Sequence, residues 1–123
     1  MATPQSIVAV VDDDAAVRNS LKFSLEIDGF VVRTYASAED LFRADDLGTC
    51  QCVVVDQDMP RMTGLELVAA LRRQGLKVPA VLVSGNLTPT VLRQASAAGI
   101  PVVEKPFMGN GLIEWIRSAT AQR

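Results

Sequence analysis

Histidine is missing from all 123 residues. Its absence excludes imidazole metal sites, Ser-His and Cys-His nucleophile pairs, and a role as a phosphohistidine carrier. Aromatic residues make up only 5%, so any core must be built from Val, Leu, Ile and Ala. The two cysteines, Cys50 and Cys52, are too few for a structural zinc site without other soft ligands. Reduced thiols, with Cys52 buried on a strand, are the expectation. Basic charge is not in excess: 12 Lys and Arg face 14 Asp and Glu, a net charge of −2. That balance argues against nucleic-acid binding, which needs a basic face. No apolar run is long enough to span a bilayer, and the polar start Met1–Ser6 has no basic segment leading into one. A cytoplasmic location is expected.

What the chain does have is 49% hydrophobic residues, enough for the core of one domain. Short β-branched runs occur at Ile7–Val11, Phe30–Tyr35, Cys52–Val55, Ala80–Val83 and Val102–Val103. They are continuous rather than alternating, as in strands covered on both faces. Between them lie segments of helical spacing: Val17, Leu21 and Leu25; Leu65, Val68 and Leu71; Val91, Leu92 and Ala95; Leu112, Ile113 and Ile116. Asp14, Ser37 and Thr88-Pro89 read as helix starts, and Gly29, Gly75 and Gly99 as helix stops. Five β-α units in strict alternation predict an α/β fold, doubly wound, with a parallel sheet covered on both faces. With no repeat or linker, residues 1–123 are expected to form a single domain.

The strand ends carry the chemistry. Asp12 and Asp13 close the first run, Asp56 the third, Ser84 the fourth, and Glu104-Lys105-Pro106 the fifth. In a parallel sheet these carboxyl ends share one edge. An Asp after a strand is often only a turn residue, and Asp14 fits that role as a helix cap. Asp56 tips the balance for the others, because three gathered carboxylates repel one another unless a cation neutralises them. Mg²⁺ suits such an oxygen-lined site. Asp56, rigid at the end of the central strand, is placed as a nucleophile that forms an acyl phosphate. Ser84 offers a hydroxyl donor, Lys105 a fixed counter-charge to phosphate, and Asp58 and Asn86 flank the crevice.

Val11-Asp12-Asp13-Asp14, Asp56-Gln57-Asp58-Met59-Pro60 with Gly64, Ser84-Gly85 and Glu104-Lys105-Pro106-Phe107 together resemble the receiver domain of bacterial two-component response regulators. The resemblance covers essentially the whole chain. It implies a flavodoxin-like five-stranded sheet of order 2-1-3-4-5, and no output domain within these residues. It implies that Asp56 accepts a phosphoryl group from a sensor histidine kinase or histidine phosphotransfer protein, with Lys105 and Ser84 contacting the phosphoryl oxygens. Mg²⁺ would be held by Asp13, Asp56 and the backbone carbonyl of Asp58, with Asp12 acting through water. On this reading the chain is a signalling domain that assists its own phosphorylation and dephosphorylation rather than an enzyme. The first helix is the implied kinase-docking side, and the fourth helix, fifth strand and fifth helix are an implied docking or homodimer face. The family usually has Tyr or Phe three residues before the lysine, where this chain has Val102, and often Thr where it has Ser84.

Other classes fit less well. Asp56-x-Asp58 also resembles the nucleophile motif of haloacid-dehalogenase-type phosphatases, but that family carries its motif on the first strand and its paired acids late. A receiver-like interaction module that works without phosphorylation would not need the intact acids, Ser84 and Lys105. A flavin-binding fold of the same topology would place Asp12–Asp14 against its phosphate.

Overall fold

A computed structural model describes residues 6–44, 47–107 and 110–121. Five parallel strands, β1 (Ile7–Val11), β2 (Val31–Tyr35), β3 (Cys52–Asp56), β4 (Ala80–Ser84) and β5 (Val102–Glu104), form one sheet of order β2-β1-β3-β4-β5. They alternate with α1 (Ala15–Ile27), α2 (Ala38–Arg43), α3 (Gly64–Arg73), α4 (Pro89–Ala97) and α5 (Gly111–Ala121), with a short 3₁₀ turn at Leu47–Thr49. Phe30 lies just outside β2, and β3, β4 and β5 each run one residue further than their apolar runs, taking in Asp56, Ser84 and Glu104.

The period of two along each strand divides the core into halves. Val8, Val10, Val54, Val81 and Val83 face α1 and α5, where Leu21, Leu25, Leu112 and Ile116 meet them. Ala9, Val11, Val53, Val55 and Leu82 face the other way, onto Leu41 of α2, Leu67 and Leu71 of α3 and Ala95 of α4. Every residue of β3 and β4 is buried, which explains their unbroken apolar runs. Cys50 and Cys52 are both buried and form no disulfide. Leu92, grouped by spacing with the core side of α4, instead faces outward at 45% exposure. Trp115 is partly buried against the α1/α5 half of the core.

The caps match the residue chemistry. Asp14 accepts hydrogen bonds from the Ala16 and Val17 amides, Ser37 from Asp40, and Thr88 from Val91 ahead of Pro89. At α3 a reciprocal capping box joins Thr63 and Glu66. The Ser/Thr-x-x-Glu signature for it is present in the sequence. Gly64 is needed for space: a Cβ would lie 2.7 Å from the Asp56 carbonyl oxygen and 2.6 Å from Leu82 Cδ1. The start of α3 is thereby pressed against the end of β3.

Candidate functional site

Register brings the strand ends together. Val11 pairs with Val55, so Asp12 and Asp56 leave adjacent strands at the same level. Asp56 pairs with Val83, and Ser84 with Glu104, so Ser84 follows one step along the same edge and Lys105 one step after it. Oxygens of Asp12, Asp13 and Asp56 lie within 4.8 Å of one another. Asp12 and Asp56 are almost wholly buried, whereas Asp13 is exposed.

The buried carboxylates are held from several sides. Asp12 Oδ1 accepts from the Asp14 amide at 2.9 Å, and the Asp12 carbonyl accepts from Arg18 Nη1. Asp56 Oδ1 accepts from the Asp58 amide at 3.1 Å. Lys105 Nζ reaches both strands, 2.9 Å from Asp12 Oδ2 and 3.2 Å from Asp56 Oδ1. The Lys105–Pro106 peptide bond is cis. Asp12 Oδ2 is buried, and the Lys105 ammonium at 2.9 Å compensates it at a poor hydrogen-bond angle.

Burial pushes the Asp56 carboxyl up from 3.8 to about 6, against the Asp58 amide and Lys105, which favour its charged form; the neighbouring Asp12 charge adds to the rise. For Lys105, burial disfavours the ammonium, but hydrogen bonding and attraction from Asp12 and Asp56 outweigh it and hold the amine above its ordinary value. At the rim, a hydrogen bond from Arg61 holds Glu39 below the usual carboxylate range.

Three clustered carboxylates, an under-bonded buried oxygen and an elevated carboxyl pKa describe a pocket short of positive charge. Its donors are all oxygens, which fits a hard divalent cation such as Mg²⁺.

Ser84 ends β4 fully buried beside this cluster. Its Oγ donates to Asp58 Oδ2 at 2.8 Å and accepts from the Asn86 amide at 3.0 Å. The sequence placed Ser84 beside Asp56 but gave no sign of a bond to the Asp58 side chain. Gln57 is a further polar residue that supports the site. It is buried, its amide donates to the Val83 carbonyl, and its side-chain oxygen accepts from Leu65 at the start of α3. A polar residue next to a strand-end acid was the available signal. Val102 sits half-buried at the start of β5 and packs on the α2–α4 half of the core, where it presents no ring.

A family model described as the response regulator receiver domain matches residues 8–117. The transcriptional regulatory protein TdiR of Thauera aromatica is 37% identical over 117 residues, which are 94% of this chain and 52% of TdiR. The transcriptional regulatory protein FixJ of Bradyrhizobium diazoefficiens is 32% identical over 121 residues, 98% of this chain and 59% of FixJ. The chain therefore spans little more than half the length of these relatives. The crystal structure of FixJ-N superimposes with a TM-score of 0.85 at 32% identity, covering 98% of each chain. The chemotaxis protein CheY4 of Vibrio cholerae, at 24% identity and a TM-score of 0.84, shares the fold.

Proposed function

The chain belongs to the response regulator receiver domain family, and from that premise we propose that it takes a phosphoryl group onto Asp56 from a phosphohistidine of a sensor histidine kinase or phosphotransfer protein. The observation that carries this reading is the Lys105 ammonium, shared at 2.9 and 3.2 Å between the buried carboxylates of Asp12 and Asp56. A half-buried lysine at that point serves any chemistry that brings further negative charge to Asp56.

In the proposed reaction an Asp56 carboxylate oxygen attacks phosphorus in line. The P–N bond to the donor imidazole breaks, its electron pair stays on nitrogen, and an acyl phosphate remains on Asp56. The Asp58 amide, at 3.1 Å from Oδ1, and the buried walls of β1 and β3 hold the nucleophile in one orientation. Asp12, Asp13, Asp56 and the Asp58 carbonyl would hold Mg²⁺. When bound, the ion supplies positive charge for the carboxylates and for the transferring phosphoryl oxygens. Lys105 offsets charge on the phosphoryl oxygens, and the Ser84 hydroxyl donates to one of them.

The product carries close to two negative charges where the carboxylate had one. Moving a two-state domain from mostly inactive to mostly active takes about 5.5 kcal/mol of differential stabilisation. Charge-assisted hydrogen bonds to the phosphoryl oxygens, at about 1.5–3 kcal/mol each before the bonds they replace are subtracted, contribute to that. With Val102 in place of a ring, the loops after β4 and β5 must pass the change to the face of α4, β5 and α5. Leu92, exposed on α4, supports partner switching or dimerisation there. Docking of the kinase on α1 is supported by a groove of about 490 Å³ between α1, α5 and the Lys105–Phe107 loop. It is supported further by Phe23 and Ile27, 68% and 69% exposed on the same helix. No helix among the described residues is long and apolar enough to cross a membrane, and a cytoplasmic site of action goes with this reading. Control of transcription, the role named for TdiR and FixJ, is the output it favours.

Incubation with Mg²⁺ and acetyl phosphate, followed by intact mass, tests the proposal. Wild type should gain one phosphoryl group, while Asp56→Asn and magnesium-free wild type should not. Uptake that persisted in Asp56→Asn would remove the assignment.

A further inference from the structure

Ser84 has one hydroxyl proton to give, and in this structure that proton is already committed. The Oγ accepts from the Asn86 amide at 3.0 Å, so its proton points the other way, to Asp58 Oδ2 at 2.8 Å. A phosphoryl oxygen on Asp56 requires the same proton. We propose that Asp58 is a positioning residue: its carboxylate holds the Ser84 hydroxyl away from the acceptor site and sets how strongly the domain engages a phosphoryl group. The proposal rests on the reading of Asp56 as phosphoacceptor given above.

The surroundings make this an exchange between acceptors rather than a free rotation. Gln57 is pinned by its amide to Val83 and by its side chain to Leu65, and the Asp58 amide is bonded to Asp56 Oδ1. The loop backbone leading into Asp58 is thus fixed, which leaves the side chains to move. Ser84 is fully buried at the end of a central strand, so its hydroxyl has no competing bulk water. Its present acceptor, Asp58, is itself exposed, so engagement of a phosphoryl group moves the proton from a solvated carboxylate to a phosphoryl oxygen. Engagement of the phosphoryl group then yields the difference between two charge-assisted hydrogen bonds, not the whole of one. Removing the Asp58 carboxylate leaves the hydroxyl without its rival acceptor.

The test is a titration with beryllium fluoride and Mg²⁺, read from the amide resonances of residues 56, 84 and 86. It compares wild type, Asp58→Ala, Ser84→Ala and the double variant. Asp58→Ala should bind about tenfold more tightly than wild type, the equivalent of about 1.4 kcal/mol. Asp58→Asn keeps a neutral acceptor and should fall between them, so it serves if the alanine variant does not fold. In the Ser84→Ala background the Asp58 substitution should lose most of its effect. A tightening of equal size with and without the Ser84 hydroxyl would mean simple charge repulsion and would overturn the proposal, as would no tightening at all. If wild type itself shows no magnesium-dependent binding, the reading of Asp56 fails first, and the latch falls with it.

Discussion

Replacing Asp56 by Asn should stabilise the metal-free protein at neutral pH. The carboxyl is buried beside Asp12 and titrates near 6 in the fold against an ordinary 3.8. Because its folded value is the higher one, the native state binds the proton more tightly than the unfolded chain. The penalty for carrying the charge is absent below about pH 3.8, grows as pH rises to 6, and is complete above it. At 1.36 kcal/mol per pH unit, the span from 3.8 to about 6 amounts to about 3 kcal/mol at pH 7. The attraction of Lys105 is already contained in that value, and Lys105 keeps Asp12 as a partner in the variant. Urea denaturation in the presence of chelator, at pH 7 and again near pH 4, measures the effect. The variant should exceed wild type by up to about 3 kcal/mol at pH 7, roughly 10 °C in Tm for a domain of this size, and the gain should shrink towards zero near pH 4. Saturating Mg²⁺ at one hundred times its Kd should then return about 2.7 kcal/mol to wild type and less to the variant, which lacks one ligand. A variant no more stable than wild type at pH 7, or a gain of the same size at pH 4, would refute the reasoning.

Lys105→Met should cost about 1–3 kcal/mol at pH 7 by leaving buried carboxylates uncompensated, and should raise the Asp56 carboxyl further, as read from its side-chain carbon resonance against pH. Because the Lys105 amine is held above its ordinary 10.5, the stability it confers is complete below that value. The gap between variant and wild type should close only as pH climbs past 10.5. Gly64→Ala should destabilise by about 1–3 kcal/mol and slow phosphoryl uptake from acetyl phosphate. The new methyl would press on the Asp56 backbone and on Leu82, and uptake at the wild-type rate would show that the contact with β3 does not govern the acceptor.

Fold class and the set of acids were legible in the chain because their signals are local. β-branched runs, helical spacing and the capping residues Asp14, Ser37 and Thr88 need only their neighbours to be read. The gathering of Asp12, Asp56, Ser84 and Lys105 was also legible, since parallel connections bring all strand ends to one edge. What was not legible is which groups touch. The bond from Ser84 to Asp58 and the double reach of Lys105 depend on sheet register and loop path, set by contacts such as Gly64 against the Asp56 carbonyl. The outward turn of Leu92 depends on how α4 rolls against the sheet. The elevated Asp56 carboxyl depends on how far water is excluded, a property of all the packed elements together. Linear order thus gave the candidate groups and their common edge, while proton positions and charge balance followed from close packing, because hydrogen bonds and desolvation change over fractions of an ångström that periodicity does not encode.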